Sequence, residues 1–448
     1  MTTEPVEKLV ISMAIPSIAI MLTTSLYNIA DTFFVSSLGT SQVASVGIAF
    51  PLMAIIQAMG FFFGQGSGNF MARALGAEKA DDASRMAVTG LVSGFFIMAL
   101  IAIAGIIFIE PLIEGLGATE TIKPYAKEYI FFVLLASPWM VSATVLNLQL
   151  RFQGSAAIAM VGMLTGAVLN IFLDPVFIFA LGLGVRGAAI ATLICQMCSF
   201  FILFFYACRR RENIPIKFSL FSPSLKIFIE MARGGVPALV RQGVHSIAFI
   251  IINHFARVYG DAAIAAISIV QRLGMFATSM MLGFGQGFQP VCGFNYGAKL
   301  YSRVKKAYWF CVRFCSIGLF VLALLMAVFA PQLIALFRKD DLEVMAIGIR
   351  WLRLLCITLP LSAFIIMSNM ITQTMGKALE ASIVALSRQG LFLIPSLFIL
   401  SPLLGLLGIQ LSTVLADIAS LIIVIPLIMR ILKSLSLSPI EAEKSIGG

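Results

Sequence analysis

Charge is what this sequence has least of. Only 12% of its 448 residues are Asp, Glu, Lys or Arg, against roughly 25% in a soluble domain. A water-facing surface of ordinary size cannot be covered from that supply, which excludes a soluble globular enzyme and a disordered chain. Cysteine is sparse as well, at 7 residues. The one C-x-x-C, Cys195 and Cys198, lies inside an apolar run. The thiols therefore read as small packing residues rather than as a disulfide scaffold or a metal site. No Walker motif occurs, so ATP coupling has no support. No nucleophile–base or metal constellation points to an enzyme, and no cofactor is implied. The net charge of +10 does not indicate nucleic acid, because no water-exposed stretch interleaves basic and aromatic residues.

What the chain has in abundance is apolar sequence, 60% of the total, arranged in long runs. About 20 apolar residues span a bilayer, so this reads as an all-α polytopic membrane protein. Twelve transmembrane helices are expected, centred near Thr23, Ile56, Phe96, Leu135, Ala167, Leu193, Val244, Ser279, Gly318, Ile357, Leu391 and Leu421. The first run, about Leu9 to Leu38, exceeds the roughly 7–15-residue core of a cleaved signal peptide and reads as a retained span. One set of connections is rich in Lys and Arg, among them Arg73, Lys79, Arg85, Arg151, Lys226, Arg233, Arg303, Lys305, Lys306 and Lys377. The opposite set carries few, diluted by acids such as Glu110, Glu114, Glu120 and Glu128. The positive-inside rule puts the basic set and both termini in the cytoplasm, as an even span count requires. A cell membrane (plasma or inner) is the expected location, with membrane lipids as partners.

The longest break, residues 209–226, is polar and holds two prolines. It reads as a cytoplasmic linker between an N-terminal lobe, 1–208, and a C-terminal lobe, 227–448. The two halves repeat. Gly64-Gln65-Gly66 returns as Gly285-Gln286-Gly287, Pro16 as Pro237, Gly39 as Gly260 and Gly76-Ala77 as Gly297-Ala298, each 221 positions later; Asn147 returns as Asn369 after 222. Six spans per repeat enter the membrane from one side, so a pseudo-twofold axis along the membrane normal is expected, as in parallel-repeat transporters. The Gly-Gln-Gly segments read as close helix packing.

Ionisable residues within spans are costly, at least about 2.5–3.5 kcal/mol at the bilayer centre, and therefore informative. Thr24, Tyr27, Asn28 and Asp31 follow i, i+3, i+4, i+7 spacing, a polar stripe on the first span. Asn170 and Asp174 stand one turn apart on the fifth. Pro175 follows the acid, removes a backbone N–H and is expected to kink the helix. Two carboxylates, an amide oxygen and a freed carbonyl are hard ligands that suit Na⁺, at Asp31, Asn170 and Asp174, or a shared proton. A buried structural hydrogen-bond network is the alternative. The C-terminal half has no acid at the matching positions: Phe249 and Ile252 replace Asn28 and Asp31, and GLFLIPSLF keeps only Pro395. Cation chemistry is thus expected in the N-terminal half. Gln57, Asn147, Arg241, His245, Met275 and Asn369 are candidates to line a substrate cavity, with snorkelling to the interface an equal reading of Arg241.

These residues resemble the multidrug and toxic compound extrusion (MATE) family. The twelve-span double repeat, Pro16, the Gly-Gln-Gly segments and especially LNIFLDPVFIF followed by GVRGAAIAT carry the likeness, from about Glu7 to Lys433. The resemblance implies a monomeric secondary antiporter that exports amphipathic, often cationic compounds in exchange for H⁺ or Na⁺ by alternating access of two lobes. It also implies a cation site at Asp31, Asn170, Asp174 and Thr192, with Pro16 as a hinge. Members with acids on the seventh and tenth spans are not matched, since Asn369 is the nearest polar residue on the tenth. A flippase for a lipid-linked glycan is the runner-up. It would need a cationic cavity, for which Arg241, Arg272 and Arg388 are the candidates.

Overall fold

A computed structural model describes residues 1–209, 217–337 and 341–435. Among the described residues there is no strand, and twelve helical segments are long and apolar enough to cross a membrane. Helix is what lipid demands of such a chain, because every backbone polar group must be satisfied within its own segment. All twelve expected centres fall inside helical segments. The first half runs α1 (Val6–Ser36), α2 (Thr40–Gly76), α3 (Ala80–Ile107), a short α4 (Ile109–Gly115), α5 (Lys123–Phe152), α6 (Ala156–Pro175) and α7 (Gly184–Arg209). The second runs α8 (Leu225–Ala256), α9 (Gly260–Gly297), α10 (Tyr301–Val328), a short α11 (Ala330–Ala335), α12 (Leu342–Thr374), α13 (Ala378–Leu386), α14 (Ile394–Leu404) and α15 (Leu406–Ser434). A π-helical turn, Ser387–Leu393, joins α13 to α14 into one span. The short helices α4 and α11 are not evident in the sequence, and they too lie 221 positions apart.

The repeat is visible in the turns. Glycines open α2 and α9 with φ of 103° at Gly39 and 83° at Gly260, a region closed to most side chains. The turns after α2 and α9 use non-glycine residues at positive φ, Glu78 at 61° and Lys299 at 59°. Both close the same capping motif, with Lys79 N–H donating to Ala74 O and Leu300 N–H to Asn295 O, each at 2.8 Å.

Packing divides the chain into two compact units, Ala19–Leu239 and Met1–Ile18 with Val240–Gly448. The division falls within α1 and α8, just past Pro16 and Pro237. Proline cannot donate to the carbonyl four residues back, so each helix ladder is interrupted there. In the Ala19–Leu239 unit the start of α8 crosses α2 at its glycines. A side chain at Gly66 would overlap the Met231 carbonyl oxygen, and one at Gly235 would sit 2.5 Å from Phe62 O. In the other unit the start of α1 crosses α9 the same way: a side-chain carbon at Gly287 would come within 2.5 Å of the Ala14 backbone, and one at Gly283 within 2.7 Å of Ile18 Cα. The Gly-Gln-Gly segments are therefore crossing points of helices, as the sequence reading held. The fourth span of each half, α5 and α12, is the most enclosed. Of the linker, residues 210–216 lie outside the described residues. Beyond them a turn at Phe218–Leu220 leads to Ser222, whose N–H donates to Thr89 Oγ1 at 3.2 Å.

Candidate functional site

Helix α6 carries the site. It starts after Gly154, whose φ of 94° turns the chain out of α5, and it holds α geometry up to Pro175. The missing N–H of Pro175 ends the regular ladder, and the next five residues, Val176–Ala180, form a π-helical turn. The expected kink thus takes the form of a change in helical register, a feature that often marks functional positions. One turn before the break, Asn170 Nδ2 donates to Asp174 Oδ1 at 3.1 Å. Both side chains are buried, at 2% and 0% exposure. Asn170 Oδ1 is buried with no hydrogen-bond partner among the described residues, which leaves one oxygen ligand unused. A carboxylate taken out of water must be compensated, and the unbonded amide oxygen beside it is a hard ligand of the kind a small cation takes.

Helix α7 supplies the facing wall. Thr192, Cys195 and Ser199 lie on one face at i, i+3 and i+7, and all three are buried. The Cys195 thiol contacts the Asn170 side chain and lies within range of the Asp174 charge. At Gly166, one turn before Asn170, any side chain would overlap Ser199 Oγ. The three steps of α6 at 166, 170 and 174 therefore meet a polar stripe of α7. Thr192 was expected at this site. Cys195 and Ser199 were not, although their spacing with Thr192 carried the signal. On the first span, Thr24 donates to its own helix at Ile20 O, 2.8 Å away. The side chains of Tyr27, Asn28 and Asp31 lie outside the described residues, although their backbone belongs to α1. Among the described residues no cluster of three His, Cys, Asp or Glu side chains is arranged to hold a metal.

The cavity candidates separate into three groups. Asn147 and Asn369 are buried and bonded, as a buried amide must satisfy its donors and acceptors within the fold. Asn147 Nδ2 donates to Ala159 O at 2.9 Å, and Asn369 Nδ2 to Ala381 O at 2.7 Å. Asn147 Oδ1 accepts from Arg151 at 2.5 Å. Asn369 Oδ1 accepts from Arg241 at 2.8 Å, which brings two of the predicted residues together. Gln57 and Met275 are exposed, and His245 is half-buried on α8 within range of the Arg388 charge. Arg388 itself lies in the π-helical turn Ser387–Leu393 and forms an ion pair with the buried Asp417 of α15. That pairing, across 29 residues, had no signature in the sequence.

Outside the spans, Glu110 of α4 pairs with Lys127 at 2.6 Å. The hydrogen bond and charge of Lys127 hold the Glu110 carboxyl below the usual carboxylate range.

The comparisons with known proteins bear on the family and the fold. The MatE family model matches residues 16–176 and 237–399, the two halves of the repeat. The chain is similar to the multidrug export protein MepA of Staphylococcus saprophyticus, 26% identical over 405 residues that make up 90% of this chain and 89% of that protein. It is similar to MepA of Staphylococcus aureus strain MSSA476, 27% identical over 417 residues, 92% of this chain and 91% of that one. Among solved structures it resembles the outward-facing conformation of a multidrug resistance MATE family transporter of the MOP superfamily. The TM-score is 0.91, with 29% identity over 97% of this chain and 98% of that one.

Proposed function

The chain belongs to the MatE family, multi-pass membrane transporters, and from that premise we propose that it is a secondary antiporter exporting amphipathic, often cationic compounds in exchange for H⁺ or Na⁺. The observation that carries the proposal is the buried Asn170–Asp174 pair, set against α7 at a π-helical turn, with an amide oxygen left unbonded. Asp31 of α1 is assigned to the same site on the strength of the family resemblance, with Thr192 as a further oxygen. Both termini face the cytoplasm, in keeping with the basic connections.

Coupling requires that cation and drug prefer opposite states of the protein. Binding of H⁺ or Na⁺ at Asp31 and Asp174 neutralises buried charge and lets α1 bend at Pro16, where its ladder is already interrupted. The bent state releases drug to the outside by alternating access, and release of the cation to the cytoplasm resets it. One charge moving down 100 mV supplies about 2.3 kcal/mol, enough for about a 40-fold drug gradient.

The flippase reading loses support from two of its three arginines. Arg241 is engaged by Asn369 and Arg388 by Asp417, which leaves Arg272 to hold a pyrophosphate.

The test is ethidium efflux from vesicles containing the purified protein, with pH and Na⁺ gradients imposed separately. Efflux driven by one of the gradients, and lost in Asp174→Asn and Asp31→Asn at equal incorporation, is the expected result and names the ion. Undiminished efflux in either variant would overturn the site assignment, and no efflux under either gradient would overturn the antiport.

A further inference from the structure

The second-half helix α12 carries two exposed arginines that neither the repeat nor the transport site employs. Arg350 and Arg353 stand three residues apart on one face, with Ala346 before them and Ile357 after. Together with Ile349 and Leu354 these residues line an open groove of about 410 Å³. Neither arginine forms an ion pair among the described residues. Arg353 is nonetheless held in place, because its Nε donates at 3.3 Å to Ala327 O. That carbonyl belongs to the last turn of α10, where helix carbonyls lack partners and a cation is favoured. The Nη groups of Arg353 and the whole guanidinium of Arg350 remain open to the groove.

Their depth is fixed by the sequence. From Leu354 to its end at Thr374 α12 has no charged residue, a stretch long enough to cross the hydrocarbon core at 1.5 Å per residue. The two arginines therefore sit at its edge, at headgroup depth, and Ile357, 63% exposed, lies one turn deeper among acyl chains. In the first half the matching positions, 222 residues earlier, are Glu128 and Phe131, so the cationic pair is confined to the second half.

We propose that this groove is a binding site for one anionic phospholipid from the leaflet at the Leu342 end of α12. Its phosphate bridges Arg350 and Arg353, and one acyl chain lies along Ile349, Leu354 and Ile357. Guanidinium pairs suit phosphate because they present several donors in a planar fork, and the apolar floor below them excludes a ligand that is all headgroup.

The test is native mass spectrometry of the full-length protein in detergent, titrated with phosphatidylglycerol and, separately, phosphatidylcholine. The wild type is expected to retain one phosphatidylglycerol about thirtyfold more tightly than phosphatidylcholine (~2 kcal/mol). Arg350→Gln/Arg353→Gln should lose that preference with an unchanged melting temperature, and Arg350→Lys/Arg353→Lys should keep part of it. Equal retention of the two lipids, or an undiminished preference in the glutamine variant, overturns the proposal. Displacement by a millimolar excess of inorganic phosphate would assign the groove to free phosphate. A dimer that disappears in the glutamine variant would assign it to a second copy of the chain. Either of those outcomes also overturns it.

Discussion

The two halves solve the same problem with different charges. On the fourth span of each, an asparagine donates to a carbonyl twelve residues further on, Asn147 to Ala159 and Asn369 to Ala381. On each, the amide oxygen accepts from a guanidinium. In the first half that guanidinium is Arg151, one turn along the same helix. In the second it is Arg241, brought from α8, while Gln373 stands where Arg151 would be and Ile20 where Arg241 would be. The buried acids differ likewise. Asp417 is neutralised by Arg388, whereas the bond from Asn170 to Asp174 brings no charge. The second half thus brings an arginine to its buried acid, and the first brings an amide to its own. That difference matches the proposal that coupling belongs to the first half and that the second is a frame.

The sharpest way to break the comparison is to neutralise one acid in each half. Asp174→Asn is expected to lower gradient-driven efflux at least about tenfold, since the interaction lost is the coupling one, while the protein still folds. Asp417→Asn is expected to do the reverse. It leaves the Arg388 cation without its carboxylate and costs about 2–4 kcal/mol of stability, reduced because Arg388 is 26% exposed, with efflux per folded molecule retained. Replacing the pair together, Arg388→Met/Asp417→Leu, should recover most of that loss. Efflux per folded molecule lost in Asp417→Asn but kept in Asp174→Asn would reverse the assignment of the halves.

Next in size are the helix crossings, where the halves should not differ. Gly66→Val and Gly287→Val both force a side chain into backbone, that of Met231 and of Ala14 respectively. Each is expected to cost about 2–3 kcal/mol, read as a lowered melting temperature in detergent. A large effect in one alone would mean that only one crossing is tight in the working protein.

Smaller again is the asparagine pair. Asn147→Ala and Asn369→Ala each remove a bonded buried amide and should destabilise by about 1–3 kcal/mol. Only Asn369→Ala releases α8 from α12. It should therefore also alter the efflux rate, and Asn147→Ala should not. Equal rates in the two variants would make the Arg241 bond purely structural.

Much of this was legible in the sequence, because the signals were local or periodic. The twelve spans follow from apolar run length, the repeat from a constant offset, and the Asn170–Asp174 bond from a spacing of four on a helix. What escaped depends on which helix faces which. Cys195 read as a packing residue and Ser199 drew no notice, since their partners lie on α6. Arg388 was visible as a polar residue within a span, but its pairing with Asp417 spans a hairpin and no period reveals it. Arg241 was equally compatible with snorkelling, and only the fold brings Asn369 to it. The π-helical turns leave no trace in an apolar pattern, because one residue added to a turn shifts the face without changing composition. The division of α1 and α8 between packing units falls just past Pro16 and Pro237, the prolines that the sequence repeat had already paired.

The smallest expected effect concerns the short helices before the fourth spans. Helix α4 buries Ile109 and Ile113, and α11 buries Ala330 and Ile334, the same positions 221 residues on. Among the described residues only α4 adds exposed ion pairs, Glu110–Lys127 and Glu114–Lys123; Pro331 and Ile349 stand where the first pair would be. Lys127 lowers the Glu110 pKa, so the pair stabilises the fold above the ordinary glutamate value of about 4.3. That contribution is lost as pH falls through the lowered value. An exposed pair contributes little, so Glu110→Gln should shift melting at neutral pH barely measurably, and not at all in high salt. Ile113→Ala, by contrast, should cost about 2–4 kcal/mol. If the two substitutions lowered melting alike, α4 would be held by charge. The apolar repeat would then not be the common ground on which the halves diverge, and the contrast between them would begin in their packing.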